Sequence, residues 1–371
     1  MLSGNNFSGH IPISLSKIYR LLLLDLSRNR LSGPVFADNP LLAFIDLSYN
    51  EFSGEIPVTF SSETQILSLG GNKFSGHLPR NLTNLVNLEH LELHDNNITG
   101  NFQDVIPQIR SLQVLGLRNN SLEGFIPKTI SNLTSLRILD LSGNNLAGNI
   151  PTEIGNLARM VETPDMKPSV DIFNFLIEFQ DLLLNWKSSF RGLSSRNLDI
   201  YSFLDLSDNR ISGEIPATLG NLKGLKLLNI SHNRLSGNIP VSFGNLEVIE
   251  SLDLSHNEIS GSIPQSFSKL NQLSTLDVSN NKLTGKIPTG GQMSTMNELN
   301  SYANNSRLCG MQINITCPED IQPPDGQDVE DEELSWFSWE ATWVGFPVGL
   351  LLSSILFMVY SLNFLNLFKF W

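Results

Sequence analysis

The chain has 371 residues, with 24 Lys and Arg against 37 Asp and Glu, and a formal net charge of −13. This balance excludes nucleic-acid binding driven by phosphate contacts, which requires clustered positive charge. Hydrophobic residues make up 40% of the chain, enough for a large core, and the Gly and Pro content is too modest for a disordered or collagen-like protein. The chain is therefore expected to fold.

An internal repeat of the form L-x-L-S-x-N-x-L-S-G-x-I-P runs along most of the chain. Its Asn recurs at spacings of 24, 21, 22, 24, 24, 24, 65, 24, 24 and 24 residues. Gly stands four residues after every such Asn, and Pro stands seven residues after nine of the eleven. The eleven positions are Asn5, Asn29, Asn50, Asn72, Asn96, Asn120, Asn144, Asn209, Asn233, Asn257 and Asn281. This period is typical of leucine-rich repeats and predicts an α/β repeat solenoid.

Each unit is expected to add one short strand to a parallel sheet on the concave side of the solenoid. The leucines point into the core, and the Asn side chain bonds backbone groups of the turn that leaves the strand. Because side chains alternate along a strand, the residues between the leucines are expected to face outward. These outward residues form the candidate binding surface.

The second half of the repeat, S-G-x-I-P, resembles that of plant extracellular leucine-rich-repeat proteins. The unit from Leu141 to Pro151, L-S-G-N-N-L-A-G-N-I-P, is similar to those of plant receptor kinases and of kinase-less receptor-like proteins. The resemblance implies a second short strand on the convex side, a twisted superhelix and a receptor without enzymatic activity or cofactor. It does not identify the ligand.

The loss and return of the repeat define the domain boundaries. Seven units, the first incomplete, occupy residues 1–158, and four more occupy residues 202–290. Residues 159–201 form an insertion that is too aromatic for a solvated linker. It either packs back on the solenoid or is an island domain that contacts a ligand or partner, as the family resemblance favours. Its aromatic residues are Phe173, Phe175, Phe179, Trp186 and Phe190.

Residues 291–318 are expected to cap the last hydrophobic layer of the solenoid. Cys309 and Cys317 lie close enough in sequence to close one small loop in an oxidising compartment. The family has such a cysteine pair at this place, which implies a disulfide. Two thiols without a neighbouring His or third Cys do not complete a zinc site.

The C-terminal residues predict an anchor in the plasma membrane. Residues 319–340 form an acidic spacer, residues 341–364 a single transmembrane helix, and residues 365–371 a short cytoplasmic tail. The charges on either side favour a type I orientation with the repeats outside. Gly345 and Gly349 form a G-x-x-x-G pair that permits close approach of another helix. In the family this segment is thought to engage an adaptor receptor kinase.

Eight N-x-S/T sequons suit a glycosylated exterior. The chain opens inside a repeat, without a secretory signal or N-terminal cap, so an N-terminal truncation is expected. The sequons are at Asn6, Asn81, Asn97, Asn119, Asn132, Asn229, Asn304 and Asn314.

The segment His90-Leu91-Glu92-Leu93-His94 is the best candidate for metal or catalytic chemistry. Residues four apart on a strand have Cα atoms roughly 13 Å apart, whereas zinc motifs place two His on one helical face. An outward polar stripe is therefore favoured over a metal site. Phosphate loops, kinase catalytic loops and nucleophile elbows are not visible, so an enzyme is not expected.

Repeats four to six depart from the chain's own consensus on the predicted outward face. The residue between the strand leucines is Asp or Asn in most units but becomes Ser68, Glu92 and Gly116, and the Ser two positions later becomes Gly70, His94 and Arg118. Selection for binding and drift on a tolerant surface both explain this. The predicted ligand-binding residues are Ser68, Gly70, His90, Glu92, His94, Asp95, Gly116 and Arg118.

The last four repeats suggest a pH-sensitive partner site. His232 and His256 precede the Asn in successive units, and equivalent positions on neighbouring parallel strands lie about 4.8 Å apart. Asp208 is the equivalent residue on the other side of His232, so the two His are expected to titrate as a coupled unit. The family resemblance places contact with a co-receptor kinase near these repeats. Exposed His residues with no role are the simpler explanation.

Two functions remain from the sequence. The first is a membrane-anchored receptor-like protein that binds an extracellular peptide, protein or glycan and signals through partner kinases, in defence or development. The second is a secreted inhibitor of cell-wall-degrading enzymes or a truncated decoy, which binds a protein without signalling. The predicted membrane span, residues 341–364, favours the first.

Overall fold

The computed structural model describes residues 2–35, 39–162, 182–186, 189–193, 200–318 and 351–355. The predicted acidic spacer, the predicted tail and both Gly345 and Gly349 lie outside these ranges. Within residues 321–371, which form a separate unit, residues 351–355 are helical. No helix in the described ranges combines the length and apolar character required to cross a membrane.

Ten strands form one parallel sheet on the concave side, and each repeat pairs with the next in register. The pairing joins Ile138 directly to Phe203, so the insertion interrupts the sequence without interrupting the sheet. The strands are Leu23–Asp25, Phe44–Asp46, Ile66–Ser68, His90–Glu92, Val114–Gly116, Ile138–Asp140, Phe203–Asp205, Leu227–Asn229, Ser251–Asp253 and Thr275–Asp277. The repeat fold expected from the sequence is therefore confirmed.

Buried leucines and the repeated Asn hold successive units together. Leu91, Leu115 and Leu139 align across three strands and are fully buried. Asn144 Nδ2 donates to the carbonyls of three residues, and its Oδ1 accepts the backbone N–H of Leu122 at 3.0 Å. From Asn29 onward, each Asn thus ties its own strand end to the preceding repeat, as the sequence pattern predicts.

The regular spacing of Gly and Pro builds the convex side. Gly100 has a φ of 77°, a left-handed conformation that favours Gly, and all eleven repeat glycines share a positive φ. The convex strands are Ser8–His10, Arg30–Ser32, Ser53–Glu55, Lys73–Gly76, Asn97–Gly100, Ser121–Leu122, Ala147–Gly148, Arg210–Glu214, Arg234–Ser236, Ser260–Gly261, Lys282–Lys286 and Arg307–Cys309.

Short 3₁₀ helices complete the units, most of them directly after the repeat Pro, which has no N–H to leave unpaired. They span Ile13–Lys17, Arg80–Asn84, Ile106–Gln108, Lys128–Asn132, Thr152–Asn156, Ala217–Asn221, Val241–Asn245, Gln265–Lys269, Gly291–Thr295, Leu299–Tyr302 and Met311–Ile313.

The insertion begins by packing against the repeats. The α-helix Ala158–Val161 buries Met160, whose carbonyl accepts the backbone N–H of Gly224 at 2.9 Å. Further on, strands Leu182–Trp186 and Ser189–Leu193 pair antiparallel. The aromatic side chains on which the island prediction depends lie outside the described part of the chain.

The predicted cap is also a twelfth, partial repeat, which the sequence pattern did not reveal. Asn305 stands 24 residues after Asn281 and makes the same ladder bonds, donating to Val278 O at 2.9 Å and accepting from Leu283 N at 2.9 Å. A 3₁₀ helix replaces its concave strand. Cys309, on the last convex strand, forms a disulfide with Cys317.

Candidate functional site

At the end of most strands of the concave sheet, an Asp or Asn side chain accepts a hydrogen bond from the Ser two residues later. Asp140 Oδ1 accepts from the backbone N–H of Ser142 at 3.0 Å and from its hydroxyl at 2.6 Å. The same bond from the Ser backbone N–H recurs in every unit that has Asp or Asn with Ser two residues later. The consensus on this face therefore has a folding role.

Repeats four to six replace this pair by a network of larger side chains. His94 Nδ1 lies 3.3 Å from Glu92 Oε2, and the hydroxyl of Tyr49 lies 3.4 Å from His94 Nε2. Arg118 donates to Asp95 Oδ2 at 3.0 Å, and its Nε lies 3.7 Å from Asp140 Oδ2. The structure thus brings together four of the predicted ligand-binding residues and adds Tyr49 and Asp140.

The small residues of these repeats make room for the large ones. A Cβ atom on Gly70 would lie 2.3 Å from the His94 ring, and a Cβ atom on Gly116 would lie 2.0 Å from Glu92 Oε2. Such contacts are impossible without movement of the neighbouring side chain. The departures at Gly70, Glu92, His94 and Gly116 are consequently interdependent and not a series of separate substitutions.

Most of the predicted binding surface is buried and not exposed as expected. Glu92, His94 and Arg118 are only 9%, 4% and 8% exposed, and Ser68 is buried as well. Parallel strands lie about 4.8 Å apart, so large side chains in one row shield each other. The residue directly before the repeated Asn, such as Asp95, is partly exposed. It lies at the edge of the sheet where the strands end.

His90 does not join His94 in a polar stripe. It is buried in a row whose next members, Val114, Ile138 and Phe203, form a second apolar cluster. Burial lowers the pKa of His90 to about 4, so its ring is neutral at physiological pH. In the described residues there is no group of three His, Cys, Asp or Glu side chains able to hold a metal ion.

The network and the neighbouring acids perturb each other's titration. Burial lowers the pKa of His94, but the hydrogen bond and charge of Glu92 outweigh it and the net shift is upward. Burial is the main reason that the pKa of Asp140 is raised. The pKa of Asp205 rises to about 7 through burial and then through the negative charge of Asp140 on the adjacent strand.

A cleft of about 330 Å³ opens beside the network at the same edge of the sheet. It extends across five repeats, and its floor is formed by small residues such as Ser142 and Ser231. The charged and titratable residues around it are Arg118, Asp205, Asp208, His232 and Asp253. The Asp row is visible in the sequence as consensus, but the cleft is not, because its shape depends on how far the side chains of neighbouring repeats extend.

The predicted partner-site His residues lie in contact with each other, and His232 lines this cleft. The rings of His232 and His256 stack with their centroids 4.0 Å apart, and His256 Nε2 lies 3.0 Å from the Asn280 amide. Both His have φ angles near 50°, which strains a residue with a Cβ atom. Asp208 and His232 share the cleft, in agreement with their predicted proximity.

Seven of the eight sequon Asn residues are exposed, but Asn229 is 6% exposed. Its Oδ1 accepts from Ser231, and its Nδ2 donates to Asp205 at 3.2 Å, so a glycan there is incompatible with the fold. The glycosylation prediction for Asn229 is therefore corrected.

We expect Asn229 to remain unmodified in protein secreted from plant cells. Peptide mapping by mass spectrometry after enzymatic deglycosylation tests this, with the exposed sequon at Asn132 as the internal control. Recovery of Asn229 as a glycosylated site in folded protein would contradict the structure.

Family models described as leucine rich repeat match residues 41–62, 63–85, 86–146, 196–259 and 239–283. Receptor-like protein 46 of Arabidopsis thaliana is 54% identical over 327 residues, which cover 81% of this chain and 40% of the relative. Receptor-like protein 32 of the same plant is 34% identical over 229 residues, covering 60% of this chain and 26% of that protein. The chain thus spans less than half the length of these relatives.

Solved structures show the same fold. A TDR receptor has a TM-score of 0.62 at 26% identity, covering 83% of this chain and 51% of that one. The plant peptide hormone receptor RGFR1 in complex with RGF2 has a TM-score of 0.56 at 26% identity, and the match covers 83% of this chain and 51% of that one. A plant ice-binding protein has a TM-score of 0.58 at 26% identity, and the match covers 85% of this chain and 82% of that one.

Proposed function

Because the chain belongs to the leucine-rich-repeat family and its resemblance to plant receptor-like proteins is confirmed over most of its length, we propose that it is the ligand-binding part of a cell-surface receptor. The resemblance to receptor-like proteins supports a receptor-like role without enzymatic activity. We propose further that the ligand is an extracellular peptide. RGFR1, a neighbour in fold, is a peptide hormone receptor solved with RGF2.

The observation that carries this proposal is the network of repeats four to six. A chain selected only for folding would keep the Asp–Ser pair that ends its other strands. Here, instead, Glu92, His94 and Arg118 form a charged network, and Gly70 and Gly116 accommodate it. Charged groups held in place by packing are suited to orient a ligand at the adjacent edge.

A variant that restores two consensus pairs tests the proposal. Glu92→Asp with His94→Ser and Gly116→Asp with Arg118→Ser installs two ordinary Asp–Ser pairs, and the shorter side chain at position 92 would no longer occupy the space over residue 116. Native and variant chains are incubated with the secreted peptide fraction of plant tissue, and bound peptides are identified by mass spectrometry. We expect the variant to melt normally and to lose the captured peptides. Equal capture by both proteins would refute a role for the network.

We propose a single-pass, type I protein of the plasma membrane with extracellular repeats, anchored through residues 341–364. The alternative, a secreted inhibitor or decoy, predicts a freely soluble protein. Fractionation of plant cells that express the tagged chain separates the two. Recovery in the detergent-extracted membrane fraction supports the receptor, and recovery wholly in the secreted fluid supports the inhibitor.

Signalling is proposed to pass through adaptor and co-receptor kinases. Changing Gly345 and Gly349 to Leu keeps the predicted span hydrophobic but prevents close helix approach, so we expect co-precipitation of an adaptor kinase to be lost. The matched control replaces Leu351 and Leu352 by Ile. Retention of the kinase by the Gly variant would place the contact in the repeats.

We also propose that His232 and His256 make partner binding depend on pH. The Asn280 amide donates to His256 Nε2, which requires that nitrogen to be unprotonated, and a charge on either stacked ring changes the surface at the end of the cleft. Binding of a co-receptor ectodomain is measured from pH 5 to 7.5. We expect the pH dependence to be lost in His232→Gln with His256→Gln, and matching profiles would exclude this pair as the sensor.

A further inference from the structure

The cleft on the concave edge has the shape of a track for an extended chain. Its lining runs from Arg118 in the sixth repeat to Asp253 in the tenth, four strand spacings or about 19 Å. An extended peptide advances about 3.3 Å per residue, so the cleft accommodates about six residues. Ser142, Ser207 and Ser231 keep the floor low between the larger side chains at its ends.

The negative charges in this cleft lack counter-ions in the part of the chain that the structure describes. Asp205, Asp208 and Asp253 have no Lys, Arg or His nitrogen within 4.0 Å there. Arg118 borders the cleft, but its guanidinium is engaged by Asp95 and faces Asp140. The charge of His232 acts to lower the pKa of Asp253, but neither Asp205 nor Asp208 has an ion-pair partner among these residues. These two acids therefore offer negative charge to whatever enters the cleft.

Asp205 is the central case, because it is only 6% exposed. One of its oxygens accepts from Ser207 at 2.9 and 2.6 Å, and the other accepts from the Asn229 amide at 3.2 Å. These neutral donors satisfy hydrogen bonds but do not cancel the charge. Buried carboxylates in proteins are ordinarily paired with a cation or bind a proton.

We propose that this cleft binds a cationic side chain, a guanidinium or ammonium group, of an extended extracellular peptide, with Asp205 as the deepest counter-ion and Asp208 and Asp253 flanking it. The inference rests on the proposed function in taking a peptide as the ligand. An organic cation fits better than a metal ion, since no set of three suitable ligands converges among the described residues.

Proton displacement is the signature of this site. Without ligand, burial and the adjacent Asp140 raise the pKa of Asp205 to about 7, whereas the hydrogen bonds from Ser207 and Asn229 oppose this shift. A bound cation favours the carboxylate and expels the proton. Affinity is therefore expected to fall about tenfold for each pH unit below about 7, with one proton released per peptide.

The experiment uses the purified 371-residue chain and four sets of random hexapeptides that differ at one fixed central position: Arg, Lys, citrulline or Glu. Citrulline keeps the shape of Arg without its charge. Binding is measured by titration calorimetry at pH 5.5, 6.5 and 7.5, in buffers of different ionisation enthalpy to count protons. We expect the Arg and Lys sets to bind at least about tenfold more tightly than citrulline at pH 7.5.

Two variants of equal charge separate a local site from the general attraction of an acidic protein. Asp205→Asn should abolish both the preference for a cation and the proton release. Asp25→Asn removes the same charge from the same row, beside the equivalent Ser27, and should change neither. Loss of the preference in both variants would overturn the site in favour of overall charge.

The remaining outcomes are also decisive. Equal binding of the Arg and citrulline sets would refute the cation site and leave the proposed peptide receptor standing. Absence of binding by every set would count against both. Spermidine binding as tightly as the Arg set would show that the cleft takes a small free cation and would overturn the peptide assignment.

Discussion

Replacing Asn144 by Ala is expected to lower the free energy of unfolding by about 4 kcal/mol, since about 1 kcal/mol is lost for each of four buried hydrogen bonds. Its side chain donates to Leu117, Leu141 and Ser142 and accepts from Leu122. Ala leaves the Leu122 N–H without this acceptor. The carbonyls of Leu117, Leu141 and Ser142 each lose one of two hydrogen bonds and keep the other, from Asn120, Asn209 and Asn119. Chemical denaturation measures the change.

The adjacent Asn145 provides a matched control, because it has the same side chain and no ladder bonds. Its backbone N–H bonds Leu122, and that bond survives substitution by Ala. We expect Asn145→Ala to change stability by less than about 0.5 kcal/mol. Equal effects at the two positions would show that the Asn ladder does not hold the repeats together.

Unlike Asn144→Ala, Asp205→Asn is expected to raise the free energy of unfolding at pH 8. The pKa of Asp205 is raised to about 7 in the folded chain from a usual value of 3.8, so the native state binds the proton more tightly than the unfolded state. Ionisation of Asp205 therefore lowers the stability of the native chain progressively as the pH rises from 3.8 to about 7. At about 1.36 kcal/mol per unit, the penalty that Asn removes is on the order of 2–4 kcal/mol at pH 8.

The chain itself shows that Asn fits this row. Asn229, at the equivalent position of the next repeat, accepts the same two hydrogen bonds from Ser231 that Asp205 accepts from Ser207. The gain should therefore shrink between pH 8 and pH 5, where Asp205 is protonated in the native state. A gain that is constant over this range would contradict a raised pKa.

If the cleft binds a cation, the same substitution separates stability from function. Asp205→Asn would give a more stable protein that has lost its preference for a basic ligand. The two Ser bonds do not need the charge of Asp205, because Asn229 makes the same bonds. That charge can therefore be tested for ligand binding without removing the bonds of the consensus pair.

The fold followed from the sequence because one short pattern recurs eleven times. The spacing of Leu and Asn defines the strand and its ladder, and the Gly four residues later marks a positive φ, as at Gly100. Asn305 escaped notice because its unit has lost the strand leucines and keeps only the Asn bonds.

The candidate site was only partly predictable. Departures from the consensus drew attention to Glu92, His94 and Arg118, but their burial and the space left by Gly116 depend on contacts between repeats. Alternation along one strand predicts the face on which a side chain lies. It does not predict how far the side chains of neighbouring strands bury it. The cleft at Asp205 arises from that shielding, since small floor residues lie between long ones.

Carbene footprinting of the 371-residue chain, with and without the bound Arg-containing hexapeptides, tests most directly whether the edge of the concave sheet is the ligand site. We predict reduced labelling at Asn119, Asp208 and His232 and unchanged labelling at the exposed Val86 and Val241, which lie outside the cleft. Protection of Val86 and Val241, with unchanged labelling at Asp208 and His232, would contradict this assignment.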